Sequence, residues 1–255
     1  MLMKKTAVIT GASSGMGKEF VRQVIEKVPS IDEIWIIARR KEVLEEIKNE
    51  YSGKTINVFS MDLEKPSSWK EYESLLKGKK PQIALLINAA GYGKIGQASE
   101  IPWSEQTGMV RLNCEALTAM TQLTIPYMQQ GGRILQLASA SAFLPQPGFN
   151  VYAASKAYVL SYSRALNREL KKQEISVTAV CPGPVETEFF LRAEEQKKTP
   201  AYKQIFRTSK EKVVAKALRD GWKRKEVSVY GSAIKAMRAA SKVVPHRLIL
   251  KGFRS

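Results

Sequence analysis

Short apolar runs punctuate the chain: KTAVIT (5–10), EIWIIA (33–38), TINVFS (55–60), IALLIN (83–88), RILQLAS (133–139), ISVTAVCPG (175–183) and a weaker KEVSVYG (225–231). Each is strand-sized, and most are apolar at nearly every position, as expected of strands covered on both faces. Helix-like segments alternate with them. A glycine loop leads a helix through about Val28, closed by Pro29, and KEVLEEIKNEY places Val43, Leu44, Ile47 and Tyr51 on one helical face. Further helices are predicted near 67–77, over about 103–129, and from 151 to about Lys172. This alternation predicts an α/β fold: a doubly wound parallel sheet of about seven strands with helices on both faces, in one domain over residues 1–255. Residues 188–212 break the rhythm; FFLRAEEQKKTPAYKQIF is too polar and irregular for core. A lid over a pocket has this character, and so does a surface excursion.

Composition narrows the class. With 44% hydrophobic and 25% charged residues, the 255-residue chain reads as a soluble globular protein. No apolar run approaches the roughly 20 residues of a membrane span. The amino-terminal MLMKKTAVITG has two lysines before an apolar run, but that run enters a glycine loop instead of a cleavage site. No targeting signal and a cytoplasmic location are the expectation. Cys114 and Cys181 show no metal-ligand spacing, so no metal site is expected, and the one histidine, His246, leaves a Ser-His-Asp triad little to work with. The net charge of +17 is unevenly placed: residues 197–255 hold 17 Lys and Arg against 3 Asp and Glu, a surplus of 14. Such a segment can serve an anionic partner or be a solvated surface. No nucleic-acid recognition motif accompanies it, and no nucleic-acid partner is expected.

Three stretches carry candidate chemistry. TGASSGMG, directly after the first strand, places Gly11, Gly15 and Gly17 before a helix, where backbone amides attract phosphate. Its spacing departs from the strict G-x-G-x-x-G dinucleotide fingerprint. The second strand ends IIARRKE; no acid stands at its tip, and Arg39 and Arg40 can pair with a ribose 2′-phosphate, which favours NADP(H) over NAD(H). VYAASKAYVL sets Tyr152 four residues before Lys156, on one face of a helix. An ammonium beside a phenol stabilises the phenolate and brings a pKa near 10 toward neutral pH.

TGASSGMG, NAAG (88–91), Asn113, Ser139, the Tyr152/Lys156 pair and PGPVET (182–187), in this order over residues 5–190, resemble the short-chain dehydrogenase/reductase family. The thirteen-residue spacing from Ser139 to Tyr152 matches as well. The resemblance implies a Rossmann-like fold and hydride transfer between a nicotinamide and a carbonyl or secondary alcohol. It makes Tyr152 the general acid, Ser139 the group polarising the carbonyl, Lys156 the ribose ligand that tunes the tyrosine, and Asn113 the holder of a relay water. Gly11, Ser13, Ser14, Gly15, Met16 and Gly17 would line the cofactor's phosphates and ribose, with Asp62 and Leu63 near adenine. Asn88 and Gly91 would flank the ribose side, and Val185 and Thr187 would hold the carboxamide. The residues leave alternatives: Ser141 in ASASA as the functional hydroxyl, Asn113 as a helix cap or kink, and Asp62 as a helix cap.

The expected substrate is a small-molecule ketone or alcohol, bulky and apolar in view of EFFL and AYKQIF, such as a hydroxysteroid or an acyl ketone. The family also implies a homodimer or homotetramer. In the basic tail, 232–255, Ile234, Met237 and Val244 share a helical face while Lys235, Arg238 and Lys242 lie largely elsewhere. Such a helix can complete a pocket or subunit interface, or lie on a membrane surface. The competing reading is a non-catalytic, basic, dinucleotide-sensing protein that binds membranes or polyanions.

Overall fold

A computed structural model of the chain describes residues 4–185, 187–193 and 208–251. Seven parallel strands form one sheet: β1 (Lys5–Thr10), β2 (Glu33–Ala38), β3 (Thr55–Ser60), β4 (Gln82–Asn88), β5 (Met128–Leu137), β6 (Ser176–Val180) and β7 (Val227–Ser228), in the order β3-β2-β1-β4-β5-β6-β7. The fold is Rossmann-like, as the βα alternation predicts. The helices are α1 (Gly15–Lys27), α2 (Lys41–Glu50), α3 (Pro66–Lys79), α4 (Trp103–Val110), α5 (Leu117–Thr124), α6 (Asn150–Glu169), α7 (Glu188–Ala193), α8 (Lys210–Trp222), α9 (Ser232–Val243) and α10 (His246–Leu250). None of them is long and apolar enough to cross a membrane, among the described residues.

The near-continuous apolarity of the strands has a direct cause. Successive side chains point to opposite faces, and both faces are covered. Ala7, Ile9, Ile34 and Ile36 pack with Phe20 and Val24 of α1, Leu44 of α2 and Val214 of α8. Val8, Trp35 and Ile37 pack on the other face with Tyr72 and Leu76 of α3, Met120 of α5 and Leu166 of α6. Polar alternation would have left one face wet; here β1, β2, β4 and β6 are buried at nearly every position, while β3 and the start of β5 are more open.

Several elements differ from the sequence expectation. The predicted helix over 103–129 is broken into α4, a π-helical turn at Arg111–Ala116, α5 and a short 3-10 turn at Ile125–Tyr127, where Pro126 lacks an amide to continue the ladder. β5 begins at Met128, before the expected 133, and ends at Leu137, where Ser139 caps a 3-10 turn over Ala140–Phe143. β7 shrinks to two residues, because β6 leaves the sheet at Pro182 and offers it only Ala179 and Val180. Helix α8 was not anticipated, although Val213, Val214, Ala217, Leu218 and Gly221 form its buried stripe; the surrounding lysines hide the period. Of the expected excursion over 188–212, residues 194–207 lie outside those described, and with them the whole AYKQIF segment. Residues 210–212 already belong to α8.

The order places a topological switch between β1 and β4, since the chain proceeds outward from β1 in both directions. The loops leaving their carboxyl ends diverge and open a crevice, the usual ligand position in such sheets.

Candidate active site

The crevice is a cavity of about 650 Å³, and the loops after six strands contribute to it. Gly11, Ser13, Ser14, Gly15, Met16 and Gly17 follow β1; Arg39 and Arg40 follow β2; Asp62 and Leu63 follow β3; Gly91 follows β4; Ser139 follows β5; Val185 and Thr187 follow β6. Tyr152 and Lys156 enter from α6. Sixteen of the predicted site residues thus share one lining. Asn88 and Asn113 stand behind it.

At one end, β1 runs into a loop folded tightly against its neighbours. Gly11 has φ +67°, and a Cβ there would lie 2.7 Å from the amide nitrogen of Ala90. Thr10, a residue the sequence reading passed over, fastens this junction: its hydroxyl accepts the amides of Ala89 and Ala90 at 3.1 and 3.2 Å. Ser14 precedes α1 in extended backbone without a capping side-chain bond, and the first turn of α1 has no acid. The helix N-terminus therefore offers its amides and partial positive charge to an anion.

The arginines after β2 call for a correction. No acid stands at the strand's tip in sequence, but the fold brings one to each. Arg39 lies 3.7 Å from Glu64, and Arg40 lies 3.3 Å from Glu188 at the start of α7. Arg40 also donates to the backbone carbonyl of Ser13 at 2.9 Å, reaching across to the glycine loop. With side chains 53% and 48% exposed, the arginines hold these carboxylates in solvent-screened pairs. Such pairs contribute at most about 1 kcal/mol each. Asp62 lines the cavity and also caps the turn into α3, accepting the amide of Glu64 at 3.2 Å.

At the other end, Ser139, Tyr152 and Lys156 are all buried. The Ser139 hydroxyl stands near enough to the Tyr152 phenol to lower its pKa, while Ser141 turns its own hydroxyl toward Gln146 and donates its amide to Ser139 Oγ at 3.1 Å. Lys156 Nζ donates to the carbonyl of Leu137 at 2.7 Å and sits 5.7 Å from the Tyr152 ring centre. Burial dominates both titrations. It pushes the phenol up to about 12 against the opposing influence of the Ser139 hydroxyl, and draws the ammonium down to about 8. The phenol's value is thus set by desolvation, and the expected lowering by Lys156 is not what governs it.

Asn113 occupies the π-helical turn, which swings it inward. Its Oδ1 accepts the amide of Tyr92 at 3.1 Å, and its Nδ2 donates to the Tyr92 carbonyl and to Ser155 Oγ. A Cβ on Gly91 would stand 2.7 Å from Asn113 Oδ1 and 3.3 Å from Lys156 Nζ, so both groups border one point of the chain. Asn88 bonds Thr121 and Gln136 in a buried network that ties β4 to α5 and β5. Beyond the polar cluster the wall is apolar, with Ile95, Leu144, Phe149, Phe189, Ile234 and Met237. Phe149 stacks on Tyr152 at 4.3 Å between ring centres. Its position three residues before the helical Tyr, on the same side of the turn that starts α6, is the signal the sequence carried for it.

The buried lysine carries a stability signature. The folded chain releases this proton near pH 8, whereas the unfolded chain holds it to the ordinary lysine value of 10.5. Between those values the unfolded state binds more protons, so stability rises with pH. Relative to Lys156→Met, the wild type is expected to gain up to about 3 kcal/mol across that window. Urea melts of both proteins over a pH series would check this; a flat difference would refute a buried, depressed Lys156.

The comparisons with known proteins agree with this geometry. The family model for short chain dehydrogenases matches residues 5–198. Human 17-beta-hydroxysteroid dehydrogenase type 3 is 30% identical over 192 residues, covering 72% of this chain and 60% of the human protein. A short-chain dehydrogenase from Sphingobium yanoikuyae, solved in complex with NADPH, superposes with a TM-score of 0.81 at 28% identity, over 98% of this chain and 96% of the other. The bulky-bulky ketone specific alcohol dehydrogenase from Comamonas testosteroni gives a TM-score of 0.74 at 25% identity, over 98% and 95% of the two chains. This chain belongs to the short-chain dehydrogenase family and is an oxidoreductase of that family.

Proposed function

We propose that the protein interconverts a bulky apolar ketone and its secondary alcohol, using NADP(H) in preference to NAD(H). One observation carries this reading: Ser139, Tyr152 and Lys156 meet between a phosphate-type loop and an apolar wall in a single cavity. The residues fit a dinucleotide. The glycine loop lines the cavity at the start of α1, whose first turn carries no acid and no side-chain cap, so its amides are available to a phosphate. When bound, the nicotinamide supplies or accepts hydride.

The chain's own residues handle the proton. Tyr152, held as a neutral phenol by burial, is the acid that donates to the carbonyl oxygen. Ser139 donates a second hydrogen bond to that oxygen and so polarises the carbonyl. Lys156, on the next turn of α6, faces the phenolate formed by the transfer and offsets its charge. Asn113 is a positioning residue; it anchors the Tyr92 backbone beside Lys156 and is the proposed holder of the relay water. The apolar wall suits a steroid-sized or acyl-chain ketone. The names of the human and Comamonas relatives support that size class.

Cofactor choice follows from magnitudes. A hydrogen bond to a charged group contributes about 1.5–3 kcal/mol, more than the exposed pairs with Glu64 and Glu188. A 2′-phosphate is therefore expected to outcompete both carboxylates. The test is turnover of a ketone series of increasing bulk with NADPH and NADH, repeated with Arg39→Ala and Arg40→Ala. The wild type is expected to prefer NADPH and bulky ketones, and each substitution to raise the NADPH KM by about 10–100-fold with little effect on NADH. Better use of NADH by the wild type would overturn the cofactor reading. Tight NADPH binding with no carbonyl turned over would favour a dinucleotide sensor.

A further inference from the structure

We propose that α9 and α10 form a docking surface for a lipid bilayer carrying anionic headgroups. The inner side of α9 belongs to the catalytic cavity, where Ala233, Ile234 and Met237 line it. It is seated tightly there: a Cβ on Gly183 would meet Ile234 Cδ1 at 2.8 Å, and the Arg238 guanidinium lies 5.9 Å from the Phe143 ring centre. Among the described residues the outer side is left open to solvent, and neither helix has a buried residue.

Two properties coincide on that side. Residues 232–251 contain five Lys and Arg and no Asp or Glu, and Lys235, Lys242, Arg247 and Lys251 are exposed. At the bend made by Pro245, Val243 is 82%, Val244 39% and Leu248 57% exposed. A solvated surface accounts for the lysines but not for a cluster of bare aliphatic side chains among them. A bilayer interface accounts for both. Aliphatic groups enter the headgroup and acyl boundary, while the flanking cations meet anionic headgroups. Nucleic acid would match the charge but leaves the exposed Val243, Val244 and Leu248 unaccounted for, and residues 232–251 offer no Phe, Tyr, Trp, Asn or Gln.

Docking through this side sets the catalytic cavity one helix thickness, about 10 Å, from the lipid. An apolar ketone dissolved in the bilayer then has a short path to the wall formed by Ile234 and Met237. That consequence rests on the function proposed above; the docking itself does not.

The test is sedimentation of the full chain with phosphatidylcholine vesicles, with and without phosphatidylglycerol, in the absence of cofactor and ketone. Binding is expected only to the anionic vesicles and to weaken as salt is raised. Each Lys or Arg near such a surface contributes about fivefold, so Lys242→Glu/Arg247→Glu/Lys251→Glu is expected to weaken binding by at least about a hundredfold. Val243→Ser/Leu248→Ser is expected to weaken it at unchanged charge. All variants should match the wild type in far-ultraviolet circular dichroism and melting temperature, which shows that they are folded, and should turn over a water-soluble ketone at the wild-type rate. The proposal is overturned if the wild type stays in the supernatant at low ionic strength, if either variant binds like the wild type, or if the chain binds duplex DNA but not the vesicles. Loss of ketone turnover by the wild type would sink the proposed function and leave the docking result standing.

Discussion

Tyr152→Phe is expected to lower kcat by about 10²–10⁴-fold while NADPH binding stays close to the wild-type value. The substitution removes one oxygen and keeps the ring. Phe at this position can still stack on Phe149 and approach Phe189, which lie 4.3 and 5.3 Å from the Tyr152 ring centre. Ser139 keeps the hydrogen bond it accepts from the Ser141 amide, so its position is retained. What disappears is the proton that burial keeps on the phenol up to about pH 12. No other acid replaces it: Lys156 points to the Leu137 carbonyl, and the Ser139 hydroxyl is far too weak an acid. Steady-state turnover of the best ketone, with NADPH affinity from fluorescence titration, separates chemistry from binding. A kcat within a few-fold of the wild type would remove Tyr152 from the acid role.

Gly17→Ala is expected to act at the other end of the cavity. A Cβ on Gly17 would fall 2.0 Å from the carbonyl oxygen of Gly11 and 2.6 Å from its carbon. Both are backbone atoms, so no side chain can swing aside. The start of α1 must part from the glycine loop by about 1 Å, and displacements of that size cost about 10²-fold at a site that depends on position. Overpacking of this kind also destabilises by about 1–3 kcal/mol. NADPH affinity and a urea melt report the two losses. Gly78→Ala is the control: nothing lies within 4 Å of its Cβ position near the end of α3, and Ala there is expected to stabilise by about 0.5–1 kcal/mol. If Gly17→Ala binds NADPH normally, the loop is not the phosphate cradle.

Much of this was legible before any coordinates. Strand runs apolar on both faces require helices on both sides, and the glycine loop after the first of them marks where a parallel sheet puts its ligand. The Tyr152/Lys156 spacing becomes meaningful once α6 is helical, because four residues bring the two side chains onto one face. Other features were legible but missed. The stripe of α8 repeats at helical spacing under a cover of lysines, and Phe149 stood three residues from the tyrosine it stacks on.

What remained depended on residues distant in sequence. The sequence by itself determined the layers, the loop and the order of the site residues, because these follow from local periodicity and short spacings. Only the tertiary structure decided that Arg39 meets Glu64 and Arg40 meets Glu188, since the partners lie 25 and 148 positions away. It also decided that Asn113 turns inward on a π-helical turn to hold the backbone of Tyr92. The balance at the pair on α6 was decided in the same way. The spacing suggests a lysine lowering a phenol's pKa, but burial governs the phenol and raises it, and burial is set by the sheet and helices that close around Tyr152.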